Sequence, residues 1–257
     1  MAGRYPHSLK SHLPWIGSSV ATLLVSALIL VLAISLEPID ARCVRQSFSW
    51  SPALDAIKYR YETFANIDFF TESPYFGLVP TQEIEDAWGG ILPKHPISIP
   101  TSKLEALGQS LDSDDPDWIR DPHNPDAVLA IPEYAAQLGC LNFLRQWSYS
   151  PQRDFRYLAS HLGSKDLIWR RTHQCLERLR QAVMCWADTG VLIKYFPENP
   201  EPGQGLMFDL GTYHYCRDFD RIQDWTEEHA VEHVTMDNLW WSGDEDTNCK
   251  VYGLCFD

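Results

Sequence analysis

This sequence is short of positive charge. Its 257 residues carry 21 Lys and Arg against 35 Asp and Glu, a formal net charge of −14. An acidic surface repels phosphate backbones, so nucleic acid is not an expected partner. The same balance argues against adsorption to an anionic leaflet. Several chemical signatures are missing as well. There is no G-x-S-x-G elbow, no P-loop and no dinucleotide fingerprint, so the chemistries that rest on them find no support. No Asn-x-Ser/Thr sequon occurs, which decides nothing about compartment. Charge is absent altogether from Trp15 to Leu36.

That uncharged run meets the ~20 apolar residues needed to cross ~30 Å of hydrocarbon. The expected layout is a cytosolic N-terminus over 1–14, a single transmembrane signal anchor over 15–36 and a lumenal C-terminal domain. Lys and Arg on the two flanks are nearly tied, so flanking charge orients the helix only weakly. Ala33-x-Ser35 leaves a cleaved signal as an alternative. Residues 37–70 read as a juxtamembrane spacer, 71–240 as the folded domain and 241–257 as an acidic tail. Cys140, Cys175, Cys185, Cys216, Cys249 and Cys255 all follow the anchor, an even number compatible with disulfides in an oxidising compartment. Cys249 and Cys255 could pair across a turn, and Cys43 stands beside the anchor, free, cross-linked or acylated. Ten Trp, eleven Tyr and eleven Phe supply area for a packed core.

Along the domain, helical spacing of Ile57, Tyr61 and Phe64 predicts a short helix from Ala53 to Ala65. Thr81 is a good N-cap, with acids in the turn that follows. Pro100-Thr101 opens another short helix that Gly108 stops. Residues 109–126 read as a solvated acidic loop, since the Gly and Glu of an EF-hand are missing. Pro132 suits a helix start, and Cys140, Leu144 and Trp147 then share a face. A second helix over about Leu167–Trp186 aligns Cys175, Leu179, Ala182 and Trp186. Both helices carry Cys-Leu-x-x-Leu-Arg, at Cys140–Arg145 and Cys175–Arg180, so they could pack face to face with their cysteines close. Residues 191–196 form a strand candidate, and an amphipathic stretch follows His214–Asp220.

Taken in order, these blocks resemble the fungal UstYa-type family of secondary-metabolite oxidases. The landmarks are Tyr75-x-Gly77-x-x-Pro80 leading to Ala87-Trp88, the twin Cys-Leu-x-x-Leu-Arg helices, Arg180–Asp188, and His214-x-Cys216-Arg217-Asp218-Phe219-Asp220. The resemblance implies a mainly α fold with minor β behind the anchor. It implies oxidative cyclisation, desaturation, hydroxylation or halogenation of a biosynthetic intermediate, with copper as cofactor. The family signature is His-x-x-His-Cys, twice. Here the two blocks read Ala136-Gln137-Leu138-Gly139-Cys140 and Arg171-Thr172-His173-Gln174-Cys175, and only the cysteines stay in register. Ala and Gly offer no donor atom, and Arg is a permanent cation, so the family's metal site cannot be assembled as written.

The residues expected to carry chemistry are His173, His214, Cys175, Cys140 and Asp188. Cys140 and Cys175 could equally form a disulfide, and Asp188 could orient an imidazole or cap a turn. His161 precedes the second helix and could swing inward. His229 and His233 have the i, i+4 spacing that binds a divalent ion, without a third ligand. Three expectations compete: a UstYa-like oxidase, a metal-independent cyclase, isomerase or dehydratase on the same fold, and a non-catalytic partner of an intact family member. The expected ligand is a small-molecule or peptide intermediate, and association with another UstYa-type chain is the expected protein contact.

Overall fold

In the computed structural model, the described residues are 13–36, 49–64, 73–109, 118–196, 198 and 205–236. Cys43, Cys249, Cys255 and the acidic tail lie outside them. The chain divides into two units, Met1–Phe48 and Ser49–Asp257.

The first unit holds helix α1, Leu13–Leu36. The expectation of a membrane-spanning anchor is corrected here: among the described residues, no helix is long and apolar enough to cross a membrane. The single-pass, lumenal localisation that rested on this helix falls with it.

The second unit mixes helices with sheets, which corrects the mainly α expectation. Among its described residues are α2 (Gln82–Gly90), α3 (Glu133–Ser148), α4 (Lys165–Cys185) and α5 (Phe219–Glu228). Seven strands accompany them: β1 (Tyr59–Thr63), β2 (Ile97–Pro100), β3 (Arg120–Asp121), β4 (Asn124–Ala130), β5 (Ile193–Tyr195), β6 (Met207–Asp209) and β7 (Tyr213–Arg217). They form three antiparallel sheets, β1-β7, β2-β4-β3 and β5-β6.

Local chemistry sets several boundaries. Thr81 caps α2 by accepting the Ile84 N–H at 3.4 Å, and Glu83 and Glu85 suit its first turn. Ser164 caps α4 in the same way through Leu167 at 3.2 Å. The segment after Pro100 forms two 3-10 turns, Thr101–Lys103 and Glu105–Leu107, in place of the expected helix. Gly108 ends the second at φ 73°, a left-handed position that favours glycine. The helix expected over Ala53–Ala65 is likewise a 3-10 turn, Leu54–Ala56, followed by β1. Tyr59, Tyr61 and Thr63 alternate there with Arg60 and Glu62, and that two-residue period prevails because β7 supplies the hydrogen-bond partners.

The cores are small and distinct. Cys140 and Phe143 of α3 meet Ile168 and Cys175 of α4, with Leu144, Trp147 and Leu179 packed around them. Ile99, Leu104 and Val128 make the second core at the three-stranded sheet, beside Trp50, Trp118 and Ala130. Fully burying one such side chain is worth about 1.5–3 kcal/mol.

Candidate functional site

The twin helices bring their cysteines together. Cys140 and Cys175 form a disulfide across the α3–α4 contact, with Cα atoms 4.9 Å apart, and both residues are buried. Next to it, Arg171 is buried at 5% exposure and faces the turn before α4. Its Nη1 donates to the carbonyls of Ser160 at 2.9 Å and Leu162 at 2.6 Å, with Ala159 at 3.4 Å. That guanidinium braces the 3-10 turn Ala159–His161.

His161 itself is buried between Phe143 (ring centroids 4.9 Å) and Phe155 (5.7 Å). Burial, helped by the charge of Arg171, pushes its imidazole down to about 4, against a weaker opposing pull from Glu85. It is therefore neutral at pH 7. Ser160 Oγ lies 2.9 Å from Nδ1, and among the described residues Nε2 has no hydrogen-bond partner. Nearby in the fold, α2 is tied to α3 by a nearly buried ion pair. Arg145 Nη2 reaches Glu85 Oε2 at 2.7 Å, and Gln146 Nε2 donates to the same oxygen at 2.9 Å. Burial works against the Glu85 carboxylate, yet these two donors hold it below its usual range. The Arg145 guanidinium lies over the Trp88 ring at 5.3 Å.

A different kind of site forms where the chain leaving α4 meets β7. His214 pairs with Glu62 across the β1-β7 ladder, and Cys216 pairs with Arg60, so these four residues share one face of the ribbon. Asp188 reaches this face from beyond α4. Its Oδ2 lies 3.0 Å from His214 Nδ1, while Oδ1 accepts the Gly190 N–H at 2.7 Å. Asp188 thus caps its own turn and orients an imidazole. These two contacts, the Gly190 N–H first, hold its carboxyl below the usual range. Phe64 stacks on the His214 ring at 3.9 Å and 9°. Among the described residues, His214 Nε2 has one weak contact, Thr212 Oγ1 at 3.5 Å. The His214 side chain is 11% exposed against 65% for Asp188. Burial, then the nearby Glu62 and Asp188 carboxylates, push the Cys216 thiol up, so it is not an activated thiolate.

The family model described as "Mycotoxin biosynthesis protein UstYa" matches residues 4–229. The chain belongs to the UstYa family. Among curated relatives, the UstYa family oxidase phomYc of Diaporthe leptostromiformis is 29% identical over 197 residues, covering 76% of this chain and 75% of the relative. Transacylase cctO of Talaromyces islandicus is 28% identical over 201 residues, covering 76% of this chain and 64% of that protein. Oxidase ustYa of Aspergillus flavus is 29% identical over 119 residues, covering 43% of this chain and 49% of its own length. No solved structure matches. These relationships tie the chain to fungal secondary-metabolite biosynthesis.

Copper fits poorly in this UstYa chain at the place where the resemblance would put it. Ala136 is buried, Gln174 is exposed, and Gly139 has no side-chain donor. Arg171, at the remaining ligand position, is a cation whose guanidinium is committed to backbone carbonyls. Among the described residues, no group of three or more His, Cys, Asp or Glu could hold a metal ion.

The structure joins four of the five expected site residues in two pairs, Cys140 with Cys175 and Asp188 with His214. His173 stands on the exposed side of α4, its ring stacked on Trp169 at 5.8 Å. Thr212 and Glu62 around His214, and Glu85 beside the core, are neighbours that the sequence motifs leave unmarked, while Phe64 and Arg145 are marked there for other roles. The period-two run Tyr59–Thr63 is the available signal for the first group. Nothing local marks Glu85, whose partner lies 60 residues away.

Proposed function

We propose that this chain acts on a small-molecule or peptide intermediate of secondary metabolism by proton transfer at His214. The reaction classes that fit are ring closure, isomerisation and dehydration without bound metal. One observation carries the reading: Asp188 Oδ2 sits 3.0 Å from His214 Nδ1. A carboxylate at Nδ1 fixes the tautomer with its proton there and leaves Nε2 as the basic nitrogen. Nε2 takes a proton from an acidic C–H or O–H of the intermediate, and Asp188 stabilises the imidazolium that forms. The same nitrogen then returns the proton, to carbon in an isomerisation or to a departing hydroxyl in a dehydration. Phe64 shields one face of the ring from water and holds its plane.

Oxidative cyclisation or a related C–H functionalisation is the second reading. It is favoured by the names of the relatives: phomYc and ustYa are both called oxidases. On that reading the redox centre comes from an intact UstYa-type partner chain, because the ligand positions here do not supply one. The experiment is deletion of the gene in its source, with accurate-mass comparison of the precursor that accumulates and the product that disappears. An unchanged mass, or loss of one water, is the expected result. Loss of two hydrogens or gain of oxygen overturns the proton-transfer reading in favour of oxidation.

A further inference from the structure

The i, i+4 histidine pair of the sequence is parted in the structure. Helix α5 ends at Glu228, and His229 folds its ring onto Trp225, with centroids 4.1 Å apart and Nδ1 2.8 Å from the Trp225 carbonyl oxygen. His233 meets a different histidine. It packs against His123, from the turn between β3 and β4, with ring centroids 4.9 Å apart and planes at 65°. Both residues are exposed, and neither ring is hydrogen-bonded among the described residues.

Both backbones under the pair are held in place. Asp121 is buried, and its Oδ1 accepts the His123 backbone N–H at 2.9 Å. On the other side, Val231 N–H donates to the Pro96 carbonyl at 2.8 Å and Met236 N–H to the Lys94 carbonyl at 2.9 Å. His95 Nδ1 lies 2.9 Å from the Val234 carbonyl oxygen. Two imidazoles in contact on two braced segments, with their nitrogens uncommitted, form a preorganised ligand pair. The chain around them is strongly acidic at −14 and draws cations.

We propose that His123 and His233 bind one late first-row divalent cation through one ring nitrogen each, with solvent completing the coordination. Imidazole nitrogen suits Cu²⁺ and Zn²⁺, and the order of divalent affinities puts Cu²⁺ ahead. The bound ion ties the β3–β4 turn to the segment after α5 and so clamps the edge of the three-stranded sheet. This site is separate from both the twin helices and His214, and it stands whether or not the proton-transfer reading does.

The test is titration of the full chain with Cu²⁺, followed by calorimetry and electron paramagnetic resonance, and a Zn²⁺ melting series. One equivalent with coupling to two imidazole nitrogens is expected. His123→Ala and His233→Ala should each weaken binding by about tenfold or more, at least the loss seen when a metal site loses a supporting partner. His173→Ala should leave it unchanged. Affinity should fall as pH is lowered, because a ligating nitrogen must be unprotonated. Zn²⁺ should raise the Tm of the wild type and not that of the double variant. Both side chains are exposed, so circular dichroism should show the variants folded. Unaltered Cu²⁺ affinity and spectrum in the folded His123→Ala/His233→Ala chain would overturn the proposal, as would loss of the signal in His173→Ala.

Discussion

The α3–α4 core and the β1-β7 ribbon treat polar groups in opposite ways. In the core, a disulfide replaces two thiols and Arg171 commits its guanidinium to backbone carbonyls. Those groups are satisfied and shut away from water. On the ribbon, His214 keeps one nitrogen almost unengaged beside a carboxylate that is 65% exposed. A closed cluster contributes stability even with the buried His161 Nε2 unpartnered among the described residues, whereas a half-open one beside an exposed carboxylate can exchange protons. On the proposed proton-transfer reading, the ribbon carries the chemistry and the core carries stability, although the family signature falls on the core. Substitutions on the ribbon should therefore change turnover at constant stability, and substitutions in the core should do the reverse.

The largest expected effect is on the ribbon. His214→Ala should lower kcat by about 10²–10⁴-fold, the usual contribution of a positioned acid or base. Asp188→Asn should lower it less, because the imidazole survives but loses its orienting carboxylate. Both variants should melt within a few degrees of the wild type. Turnover by His214→Ala equal to the wild type would erase the distinction between the regions. The measurement is product formation from the precursor accumulated in the deletion strain, together with a thermal melt of each variant.

Removal of the disulfide should give the largest stability effect. Cys140→Ala/Cys175→Ala opens a cross-link between residues 35 apart in sequence, at a cost of about 2–5 kcal/mol. Denaturant titration with and without a reductant measures it, and the reductant should no longer matter in the double variant. Arg171→Met comes next. It strips donors from the carbonyls of Ser160 and Leu162, and hydrogen bonds to a charged group are worth about 1.5–3 kcal/mol each before the turn relaxes. Arg171→Lys should recover part of the loss, since a single ammonium cannot reproduce the planar fork. If Arg171→Met instead abolished turnover without lowering stability, the core would belong to the chemistry after all.

The core is legible in the sequence because its information is local. The Cys-Leu-x-x-Leu-Arg echo, with Leu144, Trp147 and Leu179 at helical spacing, places both helices and their cysteines from sequence alone. Thr81 and Gly108 mark element boundaries for equally local reasons. The ribbon is hidden because its partners are distant. Glu62 and His214 pair across the ladder from opposite ends of the domain, and Tyr61 belongs both to the helical spacing of Ile57, Tyr61 and Phe64 and to the alternating run Tyr59, Tyr61 and Thr63. Asp188 reads as a cap or an imidazole partner, and it is both, since its two carboxylate oxygens serve different neighbours. Arg171 reads as hostile to a metal, and in the structure its guanidinium donates to backbone carbonyls. Its burial and its three carbonyl contacts have no sequence signal, because they depend on how the turn at 159–162 folds back over α4.

His161 provides the smallest and most specific test of the closed core. Its folded imidazole is pushed down to about 4 by burial and by Arg171, while Glu85 pulls weakly the other way. In the unfolded chain a histidine takes up its proton near 6.5. Between those values the unfolded state binds the extra proton, so stability rises with pH across the window and is lost as pH falls from about 6.5 towards 4. At neutral pH and above, this group adds no pH dependence. The loss should amount to about 1–3 kcal/mol, since each pH unit of the window corresponds to about 1.4 kcal/mol and partial opening of the turn relieves some of it. His161→Phe should flatten this part of the stability curve and leave in place the pH dependence of the carboxylates, Glu85 among them, whose carboxyl is held below its usual range. Denaturant midpoints from pH 4 to 8 for the two proteins decide it. An unchanged slope in His161→Phe would mean that the turn opens enough for water to reach the ring, and the core would no longer be the closed half of the comparison.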